Sequence, residues 1–327
     1  MRGGCAARRA HQRARELDVT RLASLIERDA LLFADLVHMT DRAHAHANIA
    51  ASLALLGSLA ALFWAVSYLL LGPLLAGAVV IGVLVGLALG PGIPLSAALK
   101  LARARPFPPG AFPAGESLVA RLAARAGLED VPILAYVPSA TPNAFALESG
   151  EGPAICVTDG LLRSLSPREM AGVLAHEIAH IAHADLRVLR LADALVRVMG
   201  LMGFAGQVLL PVNLVALMFG APLVAWYAPL VLIFAPVAGV LVKRSLARVR
   251  EFDADRGAAA LTGDPAALAS ALMRVERTTG GLLALLMPHL ERRGDSVLRT
   301  HPSTRERVAR LRALAGGEGQ LRGGAHR

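Results

Sequence analysis

The sequence predicts a mainly α-helical, multi-pass membrane protein with a small β-sheet, in which two transmembrane hairpins interrupt a polar domain held on one side of the bilayer. Three observations predict it. Residues 43–99 and 198–242 contain no Asp, Glu, Lys or Arg, and each stretch is long enough to cross a hydrocarbon core of ~30 Å twice at about 20 residues per helix. Lys and Arg cluster at the borders of both stretches. Between them lie short strand-like runs followed by a strongly signalled helix start.

Composition excludes several classes before any motif is read. Of 327 residues, 55% are hydrophobic and only 18% charged, against roughly 25% charged in soluble domains, and the mean hydropathy is +0.52. A wholly soluble globular protein and a disordered chain both conflict with these values. Cys5 and Cys156 are the only cysteines, which suits a reducing compartment and excludes a Cys-rich zinc or iron–sulfur site within one chain. The net charge of +9 with 4% aromatics fits anionic lipid headgroups better than nucleic acid, because the arginines flank apolar segments instead of interleaving with stacking rings.

In chain order, residues 1–48 form an N-terminal cytosolic extension with an amphipathic helix. Leu22, Leu25, Ile26, Leu32, Phe33, Leu36 and Val37 recur at three- and four-residue steps. His38, His44 and His46 near its end read as a solvated linker, since no carboxylate or Cys arrangement completes a metal site there. The 48 residues before the first apolar run contain no short apolar core with a cleavage site, which argues against a secretory signal.

Residues 49–99 are the first hairpin, with spans at 49–71 and from Leu74 to about Leu95, reversed at Gly72-Pro73. Gly77, Gly82, Gly86 and Gly90 in its second arm suit close helix approach. Residues 198–242 are the second hairpin, with spans near 198–219 and 223–242, where Pro211, Pro222, Pro229 and Pro236 imply kinks. Arg42, Lys100, Arg103 and Arg105 flank the first hairpin; Arg187, Arg190, Arg197, Lys243, Arg244, Arg248 and Arg250 flank the second. The positive-inside tendency makes all four flanks cytosolic.

Residues 100–197 and 243–327 are the two parts of the polar domain. The Pro- and Gly-rich run 100–115 reads as an irregular linker. A short helix over 117–126 and strands at 131–137, 144–147 and 154–157 follow, the last two joined by a turn over 148–153. Ser166-Pro167-Arg168-Glu169 supplies an N-cap, a proline at the first helical position and a capping-box glutamate.

The helix so started carries His176-Glu177-Ile178-Ala179-His180. At 3.6 residues per turn both imidazoles share one face, and Glu177 projects some 60° around the axis from His180. That arrangement suits two ligands on one ion and a carboxylate placed as general base toward a zinc-bound water, whose pKa the metal lowers to about 7. An open catalytic site needs a third protein ligand. His183 lies two turns from His176, too far along a continuing helix, and Asp185 falls on the helix's opposite side. Glu251, just after the second hairpin in ARVREFDADRG, is the best remaining choice, with Asp255 one turn further on to orient a ligating histidine.

These residues resemble peptidase family M48, the HtpX/Ste24-like membrane zinc metallopeptidases, over about 49–313. The resemblance rests on HEIAH, the charge-free hairpin after it, Glu251-Phe-Asp-Ala-Asp255, Pro142-Asn143-Ala144-Phe145-Ala146, Val157-Thr158-Asp159-Gly160-Leu161-Leu162, and Thr300-His301-Pro302 with Arg307 downstream. It implies a zincin-like (gluzincin) catalytic domain holding one Zn2+ per chain on His176, His180 and Glu251, with Glu177 as base and Asp255 orienting a ligand. It also implies that the strand containing Asn143 lies along the substrate, Asn143 holding the peptide backbone, and that His301 and Arg307 bind substrate or stabilise an oxyanion. The expected activity is endopeptidase cleavage of proteins and peptides, chiefly membrane proteins in quality control, at the cytosolic side of the cell (inner/cytoplasmic) membrane, with the lipid bilayer as partner and no nucleic acid. The alternatives are CAAX-type prenyl-protein processing and a catalytically silent metal-binding or adaptor protein. Residues 1–42 are long for this group, and 278–296 read as a mobile lid or variable loop.

Overall fold

A computed structural model describes residues 49–69, 71–83, 85, 94–286 and 303–324. The expected amphipathic helix of the N-terminal extension, its histidines, Gly86, Gly90 and His301 lie outside the described residues. Mostly helical with one small sheet, the described chain divides into two units, 92–186 with 250–327 and 44–91 with 187–249.

In the second unit, helices α1 (Ile49–Leu69) and α2 (Leu71–Val83) come from the first charge-free stretch. Helices α7 (Asp185–Met218) and α8 (Ala228–Thr262) contain the second; residues 187–218 and 228–249 of them belong to this unit. Helices α1, α7 and α8 are long and apolar enough to cross a membrane, whereas α2 is described only as a shorter apolar helix. Leu59, Phe63, Leu195, Met199, Leu232 and Leu246 form the unit's core. Close packing occurs at glycines other than those expected. A Cβ on Gly77 or Gly82 would meet nothing within 4 Å, whereas one on Gly203 would stand 2.9 Å from Pro236 Cγ and one on Gly206 2.7 Å from Leu232 Cβ. The Pro236 ring thus fills space that Gly203 leaves, and both Pro211 and Pro236 sit inside continuous helices. The turn between α7 and α8 is closed by buried Asn213, whose Oδ1 accepts from the N–H groups of Leu223 (2.9 Å) and Val224 (3.0 Å) and whose Nδ2 donates to Val224 O (3.2 Å). Backbone groups at the turn are thus satisfied by one amide.

The first unit begins with α3 (Leu95–Leu101), β1 (Arg105–Pro106) and α4 (Pro113–Arg125). The run expected to be an irregular linker is therefore partly ordered. Pro94 caps α3 and Pro113 opens α4, so these prolines start helices, where a missing N–H costs nothing. Strands β2 (Ile133–Val137), β3 (Ala144–Ser149) and β4 (Gly152–Thr158) complete a four-stranded sheet of order β1-β2-β4-β3. β2 pairs with β4 in parallel, while β1–β2 and β3–β4 are antiparallel. Helices α5 (Asp159–Ser164), α6 (Pro167–Ala182), α9 (Pro265–Leu286) and α10 (Thr304–Gly324) follow. The core between sheet and helices is built from Phe112, Leu122, Ile155, Leu161, Leu174, Ile178 and Leu311 among others.

The register of β3 decides which of its backbone groups bond to β4. Thr158 N–H donates to Asn143 O at 3.0 Å, so Asn143 and Thr158 face each other as a bonded pair. Alternation along an antiparallel ladder then turns the N–H and C=O of Ala144, Ala146 and Glu148 away from β4. Glu148 stands opposite Pro153, which has no N–H to offer and so fits only a non-bonded position. β3 is thus an edge strand of the sheet, and α6 packs against it.

Candidate metal centre

Helix α6 starts as its sequence demands. The Ser166 hydroxyl accepts from Glu169 N–H at 3.3 Å, and Ser166 N–H donates to Glu169 Oε2 at 2.8 Å, a complete capping box behind Pro167. Glu169 is tied further to α9 by Ser270 Oγ (2.6 Å) and Arg274 Nε (3.1 Å). These bonds outweigh burial, which opposes the charge, and hold the Glu169 carboxyl below its ordinary pKa. The helix that presents His176, Glu177 and His180 is thereby fixed at its N-terminus.

All three side chains are buried. His176 Nε2 and His180 Nε2 lie 3.1 Å apart, with rings at 86°. Glu251 of α8 closes the triangle: its Oε2 is 3.6 Å from His176 Nε2 and its Oε1 is 3.8 Å from His180 Nε2. Donors about 2.0–2.2 Å from a tetrahedral zinc are separated by the tetrahedron's edge, roughly 3.3–3.6 Å. The three donors have the chemistry and the spacing to hold one metal ion.

The opposite nitrogens of both rings face carboxylates. His176 Nδ1 is 3.1 Å from Asp255 Oδ1, and His180 Nδ1 is 2.8 Å from Asp185 Oδ2. Each carboxylate in turn meets an arginine. Arg307 of α10 donates to Asp255 through Nε (2.8 Å) and Nη2 (2.6 Å), and its Nη1 reaches Glu251 Oε2 at 2.9 Å. Arg250 Nη1 lies 3.1 Å from Asp185 Oδ1. Burial works most strongly against a charged His176, yet its hydrogen bonds to Asp255 and Glu251 prevail and raise its pKa to about 9. A metal arriving there displaces a proton.

The structure therefore brings His176, Glu177, His180, Glu251, Asp255 and Arg307 into one buried cluster. Asn143 is exposed on the chain leading into β3, its backbone N–H bonded to Thr158 Oγ1 at 2.8 Å. Asp185 corrects the sequence reading. The helix does not continue past His183: α6 ends at Ala182, His183 caps it, and Ala184 takes φ 52°. That left-handed residue turns the chain so that Asp185, wholly buried, faces His180 instead of the far side. No local signal announces it, because alanine seldom adopts positive φ. Arg250, read only as a cation flanking the second hairpin, reaches the same carboxylate.

Among known proteins, the model of peptidase family M48 matches residues 112–315. The chain is 36% identical over 220 residues to a protease HtpX homolog of Burkholderia thailandensis, spanning 61% of this chain and 73% of that protein. With a protease HtpX homolog of Acidiphilium cryptum it shares 36% over 242 residues, 67% of this chain and 80% of the other. Among solved structures, S. mikatae Ste24p aligns with a TM-score of 0.46 at 17% identity, over 84% of this chain and 66% of that one.

Proposed function

Since the chain belongs to peptidase family M48, we propose that it is a membrane-anchored, zinc-dependent endopeptidase that hydrolyses peptide bonds of membrane proteins in quality control, with its active site on the cytosolic side of the inner membrane. The observation that carries the metal assignment is the convergence of His176, His180 and Glu251, which offer one ligand atom each within 4.8 Å of one another, the two imidazole nitrogens 3.1 Å apart and the two Glu251 oxygens 3.6 and 3.8 Å from one of them each. Zinc, when bound, supplies Lewis acidity toward the scissile carbonyl and a water of lowered pKa.

The chain's own groups do the rest. Glu177, one residue from a ligand and 8% exposed, takes the proton of the attacking water and returns it to the leaving amine. Asp255 and Asp185 hold the two imidazoles so that each Nε2 faces the ion. Arg307, whose donors are spread over Asp255 and Glu251, serves as a clamp on these carboxylates. The edge of β3 supports binding of an extended substrate: Ala144 and Ala146, turned away from β4, offer main-chain donors and acceptors with little demand on sequence. Three helices among the described residues fit to cross a membrane, which supports the membrane anchor, and cations at the borders of both charge-free stretches support cytosolic flanks.

Glu177→Gln tests the reading. The purified variant is expected to retain zinc and lose hydrolysis of a casein substrate, and in native membranes to trap uncut membrane proteins identifiable by mass spectrometry. Wild-type turnover by that variant overturns the assignment; trapped proteins consisting only of prenylated C-termini redirect it to CAAX processing.

A further inference from the structure

Helix α8 contains a glycine, Gly257, six residues beyond Glu251 and within the unbroken run Ala228–Thr262. Alanine is a better helix former at such a position, so the glycine asks for a packing reason. It has one. A Cβ built on Gly257 would stand 2.8 Å from the Cβ of Ala179, with His183 Cε1 next at 3.4 Å and Ala179 Cα at 4.0 Å. Ala179 immediately precedes His180 on α6, the helix that carries two of the three metal donors. The two donor-bearing helices therefore touch at a point where one side is only a methyl and the other only a backbone.

From this contact we infer that Gly257 is a positioning residue for the metal centre: its lack of a side chain lets α8 approach α6 closely enough for Glu251 to reach His176 and His180. Carbon atoms in ordinary contact sit about 3.5–4.0 Å apart. A methyl at 257 thus forces the helices apart by roughly 0.7–1.2 Å at the contact, starting from 2.8 Å. Metal–ligand distances tolerate only about ±0.2 Å. Glu251 lies about 9 Å back along the same stiff rod, so a displacement of that size carries its carboxylate out of bonding range. The inference rests on the metallopeptidase reading above, and it names a residue that never touches the ion.

The test uses full-length protein in detergent micelles, with zinc affinity read by chelator competition alongside casein hydrolysis. Gly257→Ala is expected to weaken zinc binding by about tenfold or more, the range seen when groups that hold a ligand in place are altered. Adding Ala179→Gly to it removes the colliding carbon and leaves the new methyl with neighbours at 3.4 and 4.0 Å, so the double variant is expected to recover wild-type affinity and turnover. Ala179→Ser places extra bulk on the same contact from the other helix and is expected to weaken zinc as well, which keeps the test open if Gly257→Ala does not accumulate. Unchanged affinity in Gly257→Ala or in Ala179→Ser, or a double variant no better than Gly257→Ala, overturns the inference. A wild-type protein that binds no zinc overturns the metallopeptidase reading itself.

Discussion

Asp185 Oδ2 lies 2.8 Å from Nδ1 of His180, which makes it the counterpart of Asp255 at His176. The two carboxylates reach the site by different routes. Asp255 comes from the helix that carries Glu251, whereas Asp185 is delivered by the left-handed turn at Ala184. Each selects the imidazole tautomer that leaves Nε2 free. Asp185→Ala is expected to lower zinc affinity by about 10–100-fold, and Asp185→Asn by less, since an amide oxygen still accepts from Nδ1–H. Chelator competition on the purified variants checks both, and equal affinity in all three proteins would remove Asp185 from the site's support.

Arg307 bridges Asp255 and Glu251 with three donors. Removing it leaves carboxylates buried without their cation, a loss on the order of 3 kcal/mol. Arg307→Ala is therefore expected to unfold at markedly lower temperature than wild type, both stripped of metal. Arg307→Lys should recover only part of the difference, because an ammonium cannot make the fork that spans both carboxylates. Full recovery by lysine would show that charge alone suffices.

Cys156 sits in β4 with no exposed surface, and burial, aided by the negative charge of Glu177, pushes its thiol pKa up to about 12. The reactive thiolate is thus scarce at neutral pH. Iodoacetamide at pH 8 should leave Cys156 unmodified in the native protein and alkylate it fully after denaturation, as peptide mapping would read. Native alkylation at a comparable rate contradicts this burial.

Glu169 links the start of α6 to α9, and its pKa lies below the ordinary 4.5. A carboxylate with a depressed folded pKa contributes stability that is present above the unfolded value and lost as pH falls through the folded one. Glu169→Gln, whose one amide oxygen can accept from Ser166 N–H or from Ser270 and Arg274 but not from both sides, should cost about 1 kcal/mol at neutral pH. The gap between wild type and variant should close on acidification below 4.5. Thermal unfolding across pH 3–7 on the order of half-unit steps measures it, and a gap independent of pH would assign the loss to packing alone.

Most of the donor cluster was readable because its spacing is helical. His176, Glu177 and His180 lie within five residues of one helix, and Glu251 and Asp255 lie one turn apart on another, so periodicity aligns each set on its own helix, while the meeting of the two helices was implied only by the resemblance to family M48. The long apolar helices were readable from the absence of charge. Asp185 was not, because its position depends on a backbone turn that ordinary residues rarely make. The two-residue strand β1 was hidden in a Pro-rich run whose composition says loop, while tertiary pairing of Arg105 with Tyr136 says otherwise, and the helix α3 was hidden at the end of the first charge-free stretch. Of the glycines whose spacing suits close approach, the described Gly77 and Gly82 make none, for a related reason: spacing marks small residues, and only a neighbouring helix decides which of them matter.

Seventy-one positions separate His180 from Glu251, and Arg307 comes later still. During synthesis the two imidazoles emerge first, and the ribosome must deliver the whole of α7 and the first part of α8 before the carboxylate that completes their triangle exists. A chain that stops anywhere between His180 and Glu251 lacks the third donor, so only a product translated past Glu251 can complete the metal site.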